Sequence, residues 1–176
     1  MDIHGEYMIE KIKKLIVRIF FGDDYLSDIL FLLFIFIVYF IIQIVYPPLF
    51  SVIVSPSMEH YYFNFQKYEQ YNITQQEFSQ FPYPNGLYVG DIIIILPINT
   101  QYLKIGDVIL YKGSSIYENE DIFHRIVGYN NSNFIIMGDN NPGPIIFEGE
   151  NNMDPNRIIG VGILRIPLLG YIKLLI

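Results

Sequence analysis

Gly90-Asp91-Ile92-Ile93-Ile94-Ile95-Leu96 and its echo, Gly106-Asp107-Val108-Ile109-Leu110-Tyr111, decide the fold. Each sets a Gly-Asp pair directly before an Ile/Val/Leu run. That pattern reads as a glycine in a turn, an aspartate bonding local amides, and then a strand. Outward from these two, residues 123–129, 134–137 and Ile158–Ile166 repeat the texture of short apolar runs cut by Gly, Asp, Pro and Asn. The spacing leaves no room for crossover helices, so it predicts a small antiparallel sheet or barrel. The expected fold is mainly β across residues 47–176.

Between the two halves of the chain lies a different texture. Residues 60–85 are rich in Tyr, Phe, Gln and Asn and poor in aliphatic side chains, which reads as a long loop or insertion. Its aromatic residues, beginning with Tyr61, Tyr62 and Phe63, suit either loop packing or the headgroup level of a membrane. Asn72-Ile73-Thr74 and Asn130-Asn131-Ser132 fit the glycosylation pattern.

Upstream, the chain reads as an anchor. Met8, Ile9, Ile12, Leu15, Ile16, Ile19 and Phe20 recur at helical spacing, with Lys11, Lys13, Lys14 and Arg18 mostly between them. This predicts an amphipathic helix on a membrane surface or against the rest of the protein. Residues 29–46 then carry no charge, and Gln43 is their only strongly polar member. At about 1.5 Å per residue such a run covers most of a hydrocarbon core of roughly 30 Å, so it predicts one transmembrane helix, ended by Pro47-Pro48. A cleaved leader is the rival reading, but the run exceeds the usual apolar length and the chain has no alanine for an Ala-x-Ala site. Basic residues concentrate before the span, which places residues 1–28 in the cytoplasm and residues 47–176 outside it. The apolar C-terminal run from Pro167 is too short to span, and lies on the membrane or opens a second span.

Composition narrows the function. The 176 residues suit one domain plus an anchor. A net charge of -7 argues against nucleic-acid partners, which need clustered Lys and Arg. A hydrophobic share of 52% excludes a disordered chain. With no cysteine there is no disulfide, thiolate metal site or cysteine nucleophile.

Chemistry must then come from other groups. Ser57, in Ser55-Pro56-Ser57-Met58, follows the apolar run directly and is the candidate nucleophile; its hydroxyl needs a base. Of the three histidines, His4 falls on the cytoplasmic side, His60 shares a local stretch with Ser57, and His124 sits in a strand-like run with a defined face. His124 is the candidate base. Asp139, in Gly138-Asp139-Asn140-Asn141, is the candidate acid that fixes the imidazole tautomer.

Ser55-Pro56-Ser57-Met58, Gly106-Asp107-Val108, His124-Arg125-Ile126-Val127 and Gly138-Asp139-Asn140-Asn141, in that order, resemble the successive boxes of type I signal peptidases. The His-Arg box resembles the archaeal and endoplasmic-reticulum branch, with histidine in place of lysine. The resemblance covers residues 49–171, with 60–85 unmatched. It implies cleavage of signal peptides from secreted pre-proteins at the outer membrane face, after Ala-x-Ala, by a single-pass membrane protein. Ser57 is then the nucleophile, His124 the base, Asp139 its acid, and Ser55 a support for the oxyanion. Pre-proteins, membrane lipid and the protein-translocation channel are the implied partners, and neither metal nor cofactor is implied.

Two positions depart from the family pattern. Pro56 replaces the usual glycine, and proline holds Ser55 extended. Ile145 stands where this branch carries a second aspartate, and Glu148, Glu150 or Asp154 are substitutes in the longer segment that follows. Two other readings use the same residues. One is a LexA-like self-cleaving protease, which would use Lys112 as base; the other is a non-catalytic membrane-anchored β scaffold.

Overall fold

The computed structural model describes residues 3–45, 50–114 and 120–174, and the chain divides into two units, residues 1–47 and 48–176. In the first unit, helix α1 (Ile3–Phe21) and helix α2 (Tyr25–Val45) are separated by Gly22-Asp23-Asp24. Asp24 starts α2 by accepting the Ser27 amide and hydroxyl at 2.8 and 3.0 Å, which satisfies a donor that the first helical turn leaves open. The helix therefore begins before the boundary expected at residue 28. Apolar side chains on both helices face outward: Met8, Ile12 and Leu15 on α1 and Ile29, Leu32 and Phe36 on α2 are each at least half exposed.

Among the described residues no single helix is long and apolar enough to cross a membrane. Tyr7–Phe21 and Tyr25–Ile41 meet that requirement only as a pair bent by 97°. The expected end of the span at Pro47-Pro48 lies outside the described residues.

The second unit is built on one six-stranded antiparallel sheet: β1 (Phe50–Val52), β2 (Ile92–Leu96), β3 (Val108–Lys112), β4 (Asp121–Asn130), β5 (Asn133–Met137) and β6 (Ile158–Ile166). Their spatial order is β1-β2-β6-β3-β4-β5. With α1 and α2 included, the chain is mixed α and β rather than mainly β. The sheet was legible because β-branched runs favour a pleated, packed surface. β3 lies near its centre, and its alternate side chains serve opposite faces. Val108 and Leu110 pack with Ile93, Ile95 and Phe123, while Ile109 and Tyr111 pack with Ile126, Phe134 and Met153. Both Gly-Asp turns behave as expected: Gly90 and Gly106 have φ of +88° and +99°, and Asp91 and Asp107 accept the Tyr88 and Lys104 amides at 2.8 Å.

Residues 60–85 are not an open loop. They contain two short helices, α3 (Gln66–Glu69) and α4 (Gln75–Ser79), the second with a Thr74/Glu77 capping box. Tyr68, Ile73 and Phe78 are buried against Val127 and Met137. Of the aromatic residues that open this stretch, Tyr61 and Tyr62 are exposed, whereas Phe63 packs on His60 with ring centroids 4.1 Å apart, as loop packing would have it. Near the C-terminus, helix α5 (Tyr171–Leu174) follows Gly170, whose amide bonds the Gly90 carbonyl at 2.8 Å.

Candidate active site

β1 leads directly into the serine segment, and β4 carries the histidine. Ser55 is extended at φ -125°, ψ 153°, as a residue before proline should be, and Pro56–Met58 then form one 3-10 turn. The turn folds the two serines together, so their Oγ atoms lie 3.1 Å apart. Met58 is buried beneath, and its sulfur receives the Asp139 amide at 3.4 Å.

Both Ser57 and His124 line one cavity of about 300 Å³, together with Val52, Ile53, Phe123 and Ile145. Gly138 measures how close they come. A Cβ built on that glycine would lie 2.7 Å from His124 Nε2 and 2.8 Å from the Ser57 carbonyl oxygen, so any side chain at 138 would collide with both. The ring and the serine carbonyl thus crowd the space that a side chain at 138 would need, while the Ser57 hydroxyl pairs with Ser55 rather than with the ring. His124 is fully buried, and its Nε2 has no hydrogen-bond partner among the described residues.

The other ring nitrogen is held. His124 Nδ1 donates to Glu150 Oε1, which also accepts the Tyr111 hydroxyl at 2.6 Å, while Glu150 Oε2 accepts the Ile145 amide at 2.5 Å. The Tyr111 hydroxyl and the Ile145 amide are both donors to this carboxylate, which fits a proton on Nδ1 donated to it, while Nε2 is enclosed and without a partner among the described residues. Burial, with the neighbouring Glu150 charge, pushes the Tyr111 hydroxyl well above its ordinary range, so it stays a donor.

Asp139 does not take the role expected of it. Its carboxylate accepts Arg125 Nε and Nη2 at 2.9 and 2.7 Å, the Tyr68 hydroxyl at 2.6 Å, and makes a 2.9 Å bond with His60 Nε2. Burial alone would raise this carboxyl, but the Arg125 guanidinium and these hydrogen bonds hold it well below the usual carboxylate range. Four bonds to other groups leave the acid of Gly138-Asp139-Asn140-Asn141 as the structural centre beside the site, and Glu150 as the acid on the histidine. Of the other substitutes, Glu148 accepts the Ser114 amide at 2.7 Å and Arg157 at 3.3 Å, and Asp154 caps the turn Pro155–Arg157. Neither reaches His124.

No protein-family model, curated protein or solved structure matches this chain. The arrangement has to be read from its own geometry. A serine hydroxyl and a buried imidazole line one cavity of mixed polar and apolar lining, and behind the imidazole a buried carboxylate, Glu150, holds Nδ1. A serine nucleophile needs a base brought to its hydroxyl and an acid behind that base; here the acid-to-imidazole bond is made, and serine and imidazole share the cavity without a hydrogen bond between them. Lys112, the base a LexA-like protease would use, is exposed, ion-paired with Asp121 at 2.6 Å, and absent from the cavity lining.

Tyr111, Tyr68 and Lys67 are site residues that sequence reasoning missed. Tyr111 sits in a run of core residues and carries no motif. Lys67 Nζ donates to the carbonyls of Asp139 and Asn141, from a stretch that matches no box.

Proposed function

We propose that this chain is a membrane-anchored serine endopeptidase that removes signal peptides from secreted pre-proteins. The observation that supports it best is the cavity lined by both Ser57 and buried His124, where the unpartnered His124 Nε2 and the Ser57 carbonyl crowd the same space beside Gly138. In this reading His124 Nε2 takes the Ser57 proton as Oγ attacks the scissile carbonyl, and returns it to the leaving amine. Glu150 holds the ring and stabilises the imidazolium formed midway. The Ser55 hydroxyl and the Ser57 amide stabilise the oxyanion, each worth about 2.7 to 4 kcal/mol of barrier in comparable sites.

The exposed apolar faces of α1 and α2 support the anchor. A soluble chain rarely leaves such surface uncovered, and basic residues on α1 suit an anionic cytoplasmic leaflet. The single span expected over residues 29–46 then crosses the membrane, with residues 1–28 cytoplasmic and the sheet unit outside. Partners follow from that placement: lipid, pre-proteins, and the protein-translocation channel that delivers them.

The test is to incubate the detergent-purified full chain with a pre-protein bearing Ala-x-Ala and to identify the cleaved bond by mass spectrometry. Cleavage directly after Ala-x-Ala supports the reading; an intact pre-protein at all enzyme concentrations overturns it.

A further inference from the structure

Residues 60–85 are unmatched in the signal-peptidase resemblance, yet they are built onto the loop that meets the serine. Their base is a ring cluster: Tyr68 lies 4.7 Å from Phe78 and Phe63 lies 5.1 Å from Phe78, all packed on β4 and β5. From this base three polar groups converge on residues 138–141. Tyr68 and His60 bond the Asp139 carboxylate, and Lys67 Nζ bridges the carbonyls of Asp139 and Asn141, the latter at 2.7 Å.

The far side of the same loop holds the nucleophile segment. The Asn140 amide donates to the Ser57 carbonyl at 2.7 Å, and Asn140 Nδ2 donates to the Pro56 carbonyl at 3.1 Å. The loop is thus gripped by Lys67 on one side and grips Ser57 on the other. An ammonium has three donors and no acceptor, so bridging the carbonyls of residues 139 and 141 fixes the 139–140 and 141–142 peptide planes, with Asn140 and Asn141 held between them. Water would satisfy those carbonyls equally well without fixing them. Desolvation lowers the Lys67 pKa, in keeping with a cation drawn out of solvent to make this bridge.

We infer that Lys67 is a positioning residue for Ser57: it sets the 138–141 loop, and through Asn140 the aim of the serine at His124. The insertion is then a clamp on the nucleophile rather than a decoration of the sheet. The inference rests on the hydrolase reading above, and its test separates the two. A small misplacement of reacting groups is costly to a chemical step and nearly free for binding.

The experiment compares the full-length wild type with Lys67→Met and Lys67→Arg in detergent, recording kcat and KM on the pre-protein, the melting midpoint, and amide exchange at Asn140. Lys67→Met is expected to lower kcat by about tenfold or more, with KM and the melting midpoint near wild type and faster Asn140 exchange. Lys67→Arg, which can also donate to two carbonyls, should recover much of the kcat. Wild-type kcat in Lys67→Met, or a loss that only follows the unfolded fraction, would overturn the inference. Should the wild type itself cleave nothing, the hydrolase reading fails, and Asn140 exchange decides the clamp alone. Faster exchange in Lys67→Met upholds it, and unchanged exchange overturns it.

Discussion

His124 and Glu150, 26 positions apart, form a buried pair through Nδ1 and Oε1, and no motif joins them in the sequence. Glu150 reaches the ring where Gly149, at φ +74°, joins the 3-10 turn Ile146–Glu148 to the one that Glu150 opens, Glu150–Asn152. The segment is then tied to β5 by a mutual Phe134–Met153 backbone pair. Glu150→Gln keeps the size of the side chain but presents a donor that the ring cannot use. By analogy with other triads it should lower kcat by about 10³- to 10⁴-fold with little change in KM. Steady-state cleavage of the pre-protein checks this, with Asp154→Asn as a control that leaves the rate unaltered.

Ser55 offers its hydroxyl 3.1 Å from the Ser57 oxygen and is exposed on the cavity rim. A donor aimed at developing negative charge acts on the transition state more than on bound substrate. Ser55→Ala should therefore reduce kcat by about 10²- to 10³-fold and leave KM within about twofold. A Ser55→Thr variant, which keeps the hydroxyl, should retain more activity than Ser55→Ala in the same assay.

Asp139 makes a prediction about stability. Its carboxyl is held below its ordinary 3.8 in the folded chain despite burial, because Arg125, His60 and Tyr68 favour the charged form. A depressed folded pKa contributes stability that is whole above the unfolded value and fades as pH falls through and below it. Urea midpoints of the wild type should thus decline from about pH 5 downward. Asp139→Asn should be less stable at neutral pH by about 3 to 5 kcal/mol, since Arg125 is left buried without its partner, and should show a shallower acid decline.

The strands β2 and β6 were legible to the residue because β-branched runs bounded by glycine and proline have few other uses. β1 was not. Its three residues, Phe50–Val52, adjoin a long apolar stretch and carry no period of their own. α3 and α4 were missed because they are short and their stability comes from rings packed on β4 and β5, a tertiary contact no local pattern reveals. Ser57 and His124, which line one cavity, were legible because Ser57 lies in a polar break after a long apolar run and His124 interrupts a strand-like one. The carboxylate that bonds the His124 ring is Glu150, one of the expected substitutes, rather than Asp139. The Gly138-Asp139-Asn140-Asn141 box pointed to Asp139, while Arg125 holds that carboxylate.

The most direct test of the account is cleavage of an Ala-x-Ala pre-protein by wild type, Ser57→Ala and His124→Ala, all full length and all shown folded by their melting midpoints. The account predicts cleavage by the wild type and a loss of at least about 10³-fold in kcat in each variant, with no further loss when the two are combined. Cleavage by His124→Ala at the wild-type rate would contradict it.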